Sequence, residues 1–181
     1  MTEKRQAHVY GPVPSRRLGR SLGVDLVPFK VCSFDCIYCQ LGPTTMKTVE
    51  RRDYIPVDEL VDDVRKALAS GDRPDYITLA GSGEPTLHLH LDEIIRRVKK
   101  LSDIPIALLT NGSLFYRETV RRDAALADLV LPSLDAPNAE VFERINRPHA
   151  SINSGGWSTA WCSFGRSMPG RFGSRCSFSR G

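Results

Sequence analysis

Three cysteines, Cys32, Cys36 and Cys39, stand in C-x3-C-x2-C spacing within Val31-Cys32-Ser33-Phe34-Asp35-Cys36-Ile37-Tyr38-Cys39-Gln40-Leu41. An aromatic residue, Tyr38, precedes the last thiol. Thiolates are metal ligands and nucleophiles. Structural zinc takes four protein ligands in a closed tetrahedron, and an iron–sulfur cube usually takes four thiolates. Three thiols with no fourth nearby fit a cube that keeps one iron open to another ligand. They also fit a zinc loop that borrows a fourth ligand, or three unrelated buried cysteines.

Other chemistry-bearing residues lie in short loops. Gly81-Ser82-Gly83-Glu84-Pro85 is a glycine-rich turn in which backbone carbonyls can approach a ligand closely. Thr110-Asn111-Gly112 and Pro132-Ser133-Leu134-Asp135 place polar side chains after apolar runs. Asn111-Gly112 is also an ordinary turn pair, and Asp135 also suits a helix cap. Gly11 to Arg20, with two prolines and two glycines, reads as loop. Its Arg16, Arg17 and Arg20 are guanidinium forks for a phosphate or carboxylate, or a solvated basic loop. His8, His88, His90 and His149 show no ligand spacing and read as surface or structural.

The elements that position these loops follow from hydrophobic periodicity. Leu22, Val24 and Leu26 alternate over Ser21–Val27, a strand ended by Pro28. A helix begins at Pro56, with Leu60, Val61, Val64 and Leu68 on one face. Tyr76–Ala80 is a second strand, and Leu91, Ile94, Ile95, Val98 and Leu101 line a second helix. Strand Ile106–Leu109, a short helix around 117–122, strand Leu129–Leu131 and a helix with Val141, Phe142 and Ile145 follow. Both long helices carry acids first and bases last, which suits the helix dipole. Four β-α repeats imply parallel strands with right-handed crossovers. An open flavodoxin-like sheet and a β/α barrel both fit. The polar loops each follow the C-terminal end of a different strand, which is the catalytic face of a barrel. The expected class is therefore α/β, a partial (β/α) barrel broken off after about four βα units.

Charge and composition narrow the partners. The formal net charge is +4. Four arginines after Ala150, with no acid there, account for it, which leaves residues 1–149 balanced. A basic nucleic-acid footprint thus rests on the last stretch alone. No apolar run approaches a membrane span, and the residues before the cysteines do not read as a secretory leader. A cytoplasmic protein with no membrane partner is expected. In that setting a cysteine trio serves metal or redox chemistry rather than disulfides. From Ala150 on there is no Leu, Val, Asp, Glu or Lys, while Ser, Gly and Arg dominate. Such a change after a hundred periodic residues suggests a reading-frame shift beyond about Ile152, with a disordered tail as the alternative. The expected organisation is 1–20 as an N-terminal loop extension, 21–149 as the core and 150–181 as a tail foreign to the fold. Trp157, Trp161, Cys162 and Cys176 lie in that tail and are assigned nothing.

The cysteine loop with Tyr38, followed by Gly81-Ser82-Gly83-Glu84-Pro85, resembles the radical S-adenosylmethionine (SAM) superfamily over residues 9–149. The Gly-Pro-Val-Pro-Ser-Arg-Arg-Leu-Gly run at 11–19 resembles a group related to the enzymes that build the wyosine base of transfer RNA. Those enzymes carry further cysteines before the triad, whereas no cysteine precedes Cys32 here. The resemblance implies a [4Fe–4S] cluster on Cys32, Cys36 and Cys39. It implies SAM chelated by the open iron and cleaved, by one electron, to methionine and a 5′-deoxyadenosyl radical. It places SAM against Tyr38, Gly81, Ser82, Gly83, Glu84, Asn111, Ser133 and Asp135. An electron donor such as flavodoxin or ferredoxin follows, and transfer RNA is the substrate suggested. A protein substrate, or a small anionic metabolite on Arg16 and Arg17, remains open beside it, as does a non-catalytic metal-binding module.

Overall fold

The computed structural model describes residues 8–133 and 135–152. The stretch from residue 153 onward, on which the frame-shift reading falls, lies outside the described residues. In chain order the strands and helices are β1 (Val9–Ser15), β2 (Gly19–Val24), the two-residue strands β3 (Val31–Cys32) and β4 (Met46–Lys47), and α1 (Val57–Ala69). There follow β5 (Tyr76–Leu79), α2 (Leu91–Lys99), β6 (Ile106–Thr110), α3 (Glu118–Ala124), β7 (Leu129–Pro132) and α4 (Ala139–Asn146).

The main sheet runs β1-β2-β5-β6-β7. β2, β5, β6 and β7 are mutually parallel, and each new strand is added beside the last. A doubly wound sheet reverses its order at a switch point; this one does not. With right-handed crossovers, an order without reversal sends the connecting helices to one face, where α1 packs on α2 and α2 on α3. That is the partial β/α barrel expected, and not the flavodoxin-like alternative. Among the described residues the sheet does not close, and β7 pairs on one side only.

The two faces of the strands do different work. Leu22, Val24, Ile77, Leu79, Ile106, Leu108 and Val130 are fully buried or nearly so. They form one core with Leu60, Val64, Leu91, Ile94, Ile95 and Val98 of the helices. Side chains alternate along a strand, so Leu109 and Leu131, paired across β6 and β7, point to the other face. A smaller cluster of Phe34, Ala136, Phe142 and Ile152 ties the cysteine loop to α4. The rings of Phe34 and Phe142 meet edge to face with centroids 5.3 Å apart.

Residues 9–15 correct the loop reading of the N-terminal extension. β1 pairs antiparallel with β2, its register shifting between Tyr10 and Val13, and so belongs to the main sheet. Proline lacks a ladder donor and is confined to edge strands. β1 is an edge, which is why Pro12 and Pro14 do not exclude it.

Candidate active site

The cysteine loop is built around β3 and the turn after it. Thr44 N–H donates to Asp35 Oδ1 at 2.7 Å, and Cys39 N–H to the Cys36 carbonyl at 3.1 Å. The C-terminal end of α4 closes on the loop. Asp35 N–H donates to the Asn146 carbonyl at 3.0 Å, Ile37 N–H to that of Ile145 at 2.9 Å, and His149 N–H to that of Ser33 at 2.9 Å. Phe34 also bridges to Pro148.

Cys32, Cys36 and Cys39 line one cavity of about 590 Å³, together with Tyr38, Gly81, Gly83, Glu84, Asn111, Ser133 and Asp135. Leu109 and Leu131 form part of its wall, which places it on the face the helices do not cover. All three thiols are free and half-buried. Each has a side-chain N–H donor: Lys30 Nζ lies 3.1 Å from Cys39 Sγ, Asn111 Nδ2 3.6 Å from Cys32 Sγ, and Asn146 Nδ2 3.5 Å from Cys36 Sγ. Burial pushes the Cys32 thiol up to about 12, and the nearby Glu84 carboxylate adds to the rise. Burial raises Cys36 as well. A bound metal reverses that, since a coordinating thiol is deprotonated outright. No three or more His, Cys, Asp or Glu side chains among the described residues are grouped to hold a metal ion. The trio is therefore not a ready-made mononuclear site. The three thiols nonetheless share one cavity, and thiolates are the ligands that hold iron–sulfur clusters.

The Gly-Ser-Gly-Glu turn packs directly on the cysteine segment. A Cβ on Gly81, whose φ is +111°, would lie 1.6 Å from Asp25 Oδ1, and one on Gly83 2.0 Å from the Val31 carbonyl oxygen. Only glycine fits either position. Glu84 N–H donates to the Val31 carbonyl at 3.0 Å. The Glu84 side chain is buried, and its carboxylate accepts four hydrogen bonds. Oε1 takes Thr86 N–H at 3.1 Å, Thr86 Oγ1 at 2.5 Å and Thr110 Oγ1 at 2.6 Å, and Oε2 takes Asn111 N–H at 2.7 Å. Burial raises its pKa against the opposing pull of those bonds. Glu84 thus locks the ends of β5 and β6 together.

Three expectations need correction. Ser82 turns away from the cavity: its N–H and hydroxyl both bind Asp25 at 2.8 Å, and its carbonyl accepts from Lys30 N–H at 2.6 Å. Arg16 is not in this cavity; with Ser15 and Arg17 it lines a separate recess of about 440 Å³, while Arg17 reaches both. Arg20 is engaged by Asp72. Asp135 does not cap α4, a role taken by Asn138, whose Oδ1 accepts from Val141 N–H at 3.0 Å. Asp135 instead accepts from Tyr38 O–H at 2.6 Å, and Asn146 Nδ2 donates to the same tyrosine oxygen at 2.7 Å. That bond and burial raise the Tyr38 pKa, burial most. Lys30, Asn146 and Asp25 were not singled out from sequence. Asp25, a lone acid at the end of an apolar strand, was the only one of them with a local signal.

The structure defines an α/β protein: a parallel half-barrel with three thiols on one cavity at the C-terminal ends of its strands. The radical SAM superfamily matches residues 26–153, and the chain belongs to it. The chain is 48% identical over 145 residues to a protein of Brachyspira hyodysenteriae named GTPase Obg, covering 80% of this chain and 21% of that one. It is 42% identical over 145 residues to a UPF0026 protein of Methanocaldococcus jannaschii, covering 79% of this chain and 45% of that one. Among solved structures it resembles archaeal TYW1, with a TM-score of 0.49 and 16% identity over 80% of this chain and 50% of that chain. The chain thus spans about half or less of the length of these relatives. No helix among the described residues is long and apolar enough to cross a membrane.

Proposed function

We propose that the chain is the cluster- and SAM-binding half of a radical SAM enzyme, acting on a transfer RNA base. Cys32, Cys36 and Cys39 would hold a [4Fe–4S] cluster. The observation that carries the reading is three thiols, each with its own N–H donor, on one cavity with the Gly81–Glu84 turn. With SAM bound, the cluster supplies one-electron reductive cleavage to methionine and a 5′-deoxyadenosyl radical. The protein's part is orientation and exclusion of side reactions. The Gly81 and Gly83 backbone lies open to the methionyl ammonium. Asn111, Ser133 and Asp135 offer polar contacts to the remainder. Tyr38, fixed by Asp135 and Asn146, covers the loop beside Cys39. A flavodoxin or ferredoxin would deliver the electron.

Anaerobic reconstitution followed by iron and acid-labile sulfide analysis tests the cluster. We expect about four of each per chain in the wild type, and none stably held after Cys→Ala at any of the three positions. SAM should alter the spectrum of the reduced cluster, and slow release of 5′-deoxyadenosine should follow. Stoichiometric zinc with no charge-transfer absorption would refute the reading. The RNA substrate rests on the resemblance of residues 11–19 to a group related to the wyosine enzymes. Co-purification of transfer RNA, weakening with salt, is the expected result; its absence removes RNA. Arg17 supports a second substrate, a small anionic metabolite, because it lines the same cavity with no ion-pair partner among the described residues.

A further inference from the structure

We propose that Lys30 tunes the metal centre, its ammonium making a cluster on the three cysteines easier to reduce by one electron. This rests on the cluster reading above. Lys30 is only 3% exposed, a rare state for lysine. Its backbone is held on both sides: its N–H donates to the Ser82 carbonyl at 2.6 Å, and its own carbonyl accepts from Thr45 and Met46 N–H, each at 3.2 Å. It adopts φ +60°, a left-handed conformation that is unfavourable for a residue with a Cβ. The fold therefore fixes where this side chain starts. Nζ then ends 3.1 Å from Cys39 Sγ.

No carboxylate forms a close ion pair with Lys30 among the described residues; Asp35 feels its charge from farther off, and the Cys39 sulfur is its polar side-chain partner. A buried cation without a close counter-charge is costly. A cluster carried by three thiolates is negative and supplies one. The other two sulfurs receive neutral amide donors, from Asn111 and Asn146. Only Cys39 receives a charged donor, and charge-assisted hydrogen bonds are roughly twice as strong as neutral ones. Reduction adds one electron, from a low-potential donor, and moves no proton. A fixed positive charge stabilises the reduced form more than the oxidised one, and hydrogen bonds to the sulfurs act in the same sense.

The test uses the whole chain, reconstituted anaerobically, with Lys30→Gly and Lys30→Arg beside the wild type. Glycine accepts φ +60° without strain, so the first variant removes the ammonium and leaves the backbone path; the second keeps a cation. Iron and sulfide are assayed, and an EPR-monitored dithionite titration gives the reduced-to-oxidised ratio at fixed poise. In Lys30→Gly that ratio should fall about tenfold, which is 59 mV for a one-electron couple. Lys30→Arg should stay closer to the wild type. A loaded Lys30→Gly with an unchanged ratio overturns the inference and leaves the cluster reading standing. A wild type that takes up no iron or sulfide removes both. A second measurement needs no variant: with 15N-lysine labelling, pulsed EPR of the reduced wild-type cluster should show a 15N coupling, and its absence overturns the inference.

Discussion

Glu84 is the position at which a binding role and a scaffold role separate most cleanly. Consider Glu84→Gln. The amide oxygen can take the place of Oε1 and keep the donors from Thr86 N–H, Thr86 Oγ1 and Thr110 Oγ1. The amide nitrogen then occupies the place of Oε2, 2.7 Å from Asn111 N–H, and two donors face each other. Flipping the amide is no better, because Thr86 N–H is also a fixed donor. Either way two buried donors go unpaired, at about 1–3 kcal/mol each. Removing a charge that burial disfavours offsets part of this. The net loss should be about 2–4 kcal/mol, against a typical domain stability of about 5–15 kcal/mol. For a chain of this size that lowers Tm by roughly 5–15 °C. Thermal unfolding of the metal-free protein by circular dichroism measures it. If Glu84 served only to contact a ligand, the variant would lose SAM affinity at an unchanged Tm. A stability within about 0.5 kcal/mol of wild type would refute the scaffold argument.

The fold makes other quantities measurable. His88 is fully buried, with Nε2–H donating to the Ile55 carbonyl at 2.9 Å and Nδ1 accepting from His90 N–H at 3.1 Å, so the ring is neutral, and burial lowers its pKa. A depressed histidine gives stability that is present above its unfolded pKa of about 6.5 and lost as pH falls through the folded value. Urea titrations below about pH 6.5 should lose up to about 1.4 kcal/mol per pH unit, and His88→Gln should flatten that slope. Phe142→Ala should cost about 3–5 kcal/mol by chemical denaturation and also weaken iron retention, since its ring packs on Phe34 in the cysteine loop. Asn138→Ala removes the α4 cap and should cost about 1 kcal/mol, with no change in the iron content of reconstituted protein.

The four βα units were legible because each strand and helix carries its own period. Leu22 and Val24, then Leu60, Val61 and Val64, point to one core without knowledge of any partner. β1 was not legible, since its prolines and glycines describe a loop until an edge position excuses them. Within the site, the residues legible were those whose type signals chemistry: the thiols, the glycines, Asn111 and Tyr38. The direction a side chain takes was not legible. Ser82 looks equivalent to its neighbours until Asp25, 57 positions away, claims both its donors. Asn146 read only as the end of a helix, because its partner Cys36 lies 110 positions earlier.

The cavity's two ends constrain what a substrate can be. The thiols, the Gly81–Glu84 turn, Asn111 and Ser133 all follow the C-terminal ends of parallel strands. Arg17 lies at the opposite end, in the turn that precedes β2, where Arg20 N–H already meets Asp75 just before β5. β2 is six residues long, which at about 3.3 Å per residue is roughly 20 Å. The reach of the arginine side chain shortens that separation without closing it. A compact anion seated on Arg17 would therefore lie well away from the cysteine loop. A substrate that engages both ends has to be extended, with its charge at one end and its reacting carbon at the other. A small anion on Arg17 engages one end alone, and a longer substrate can engage both.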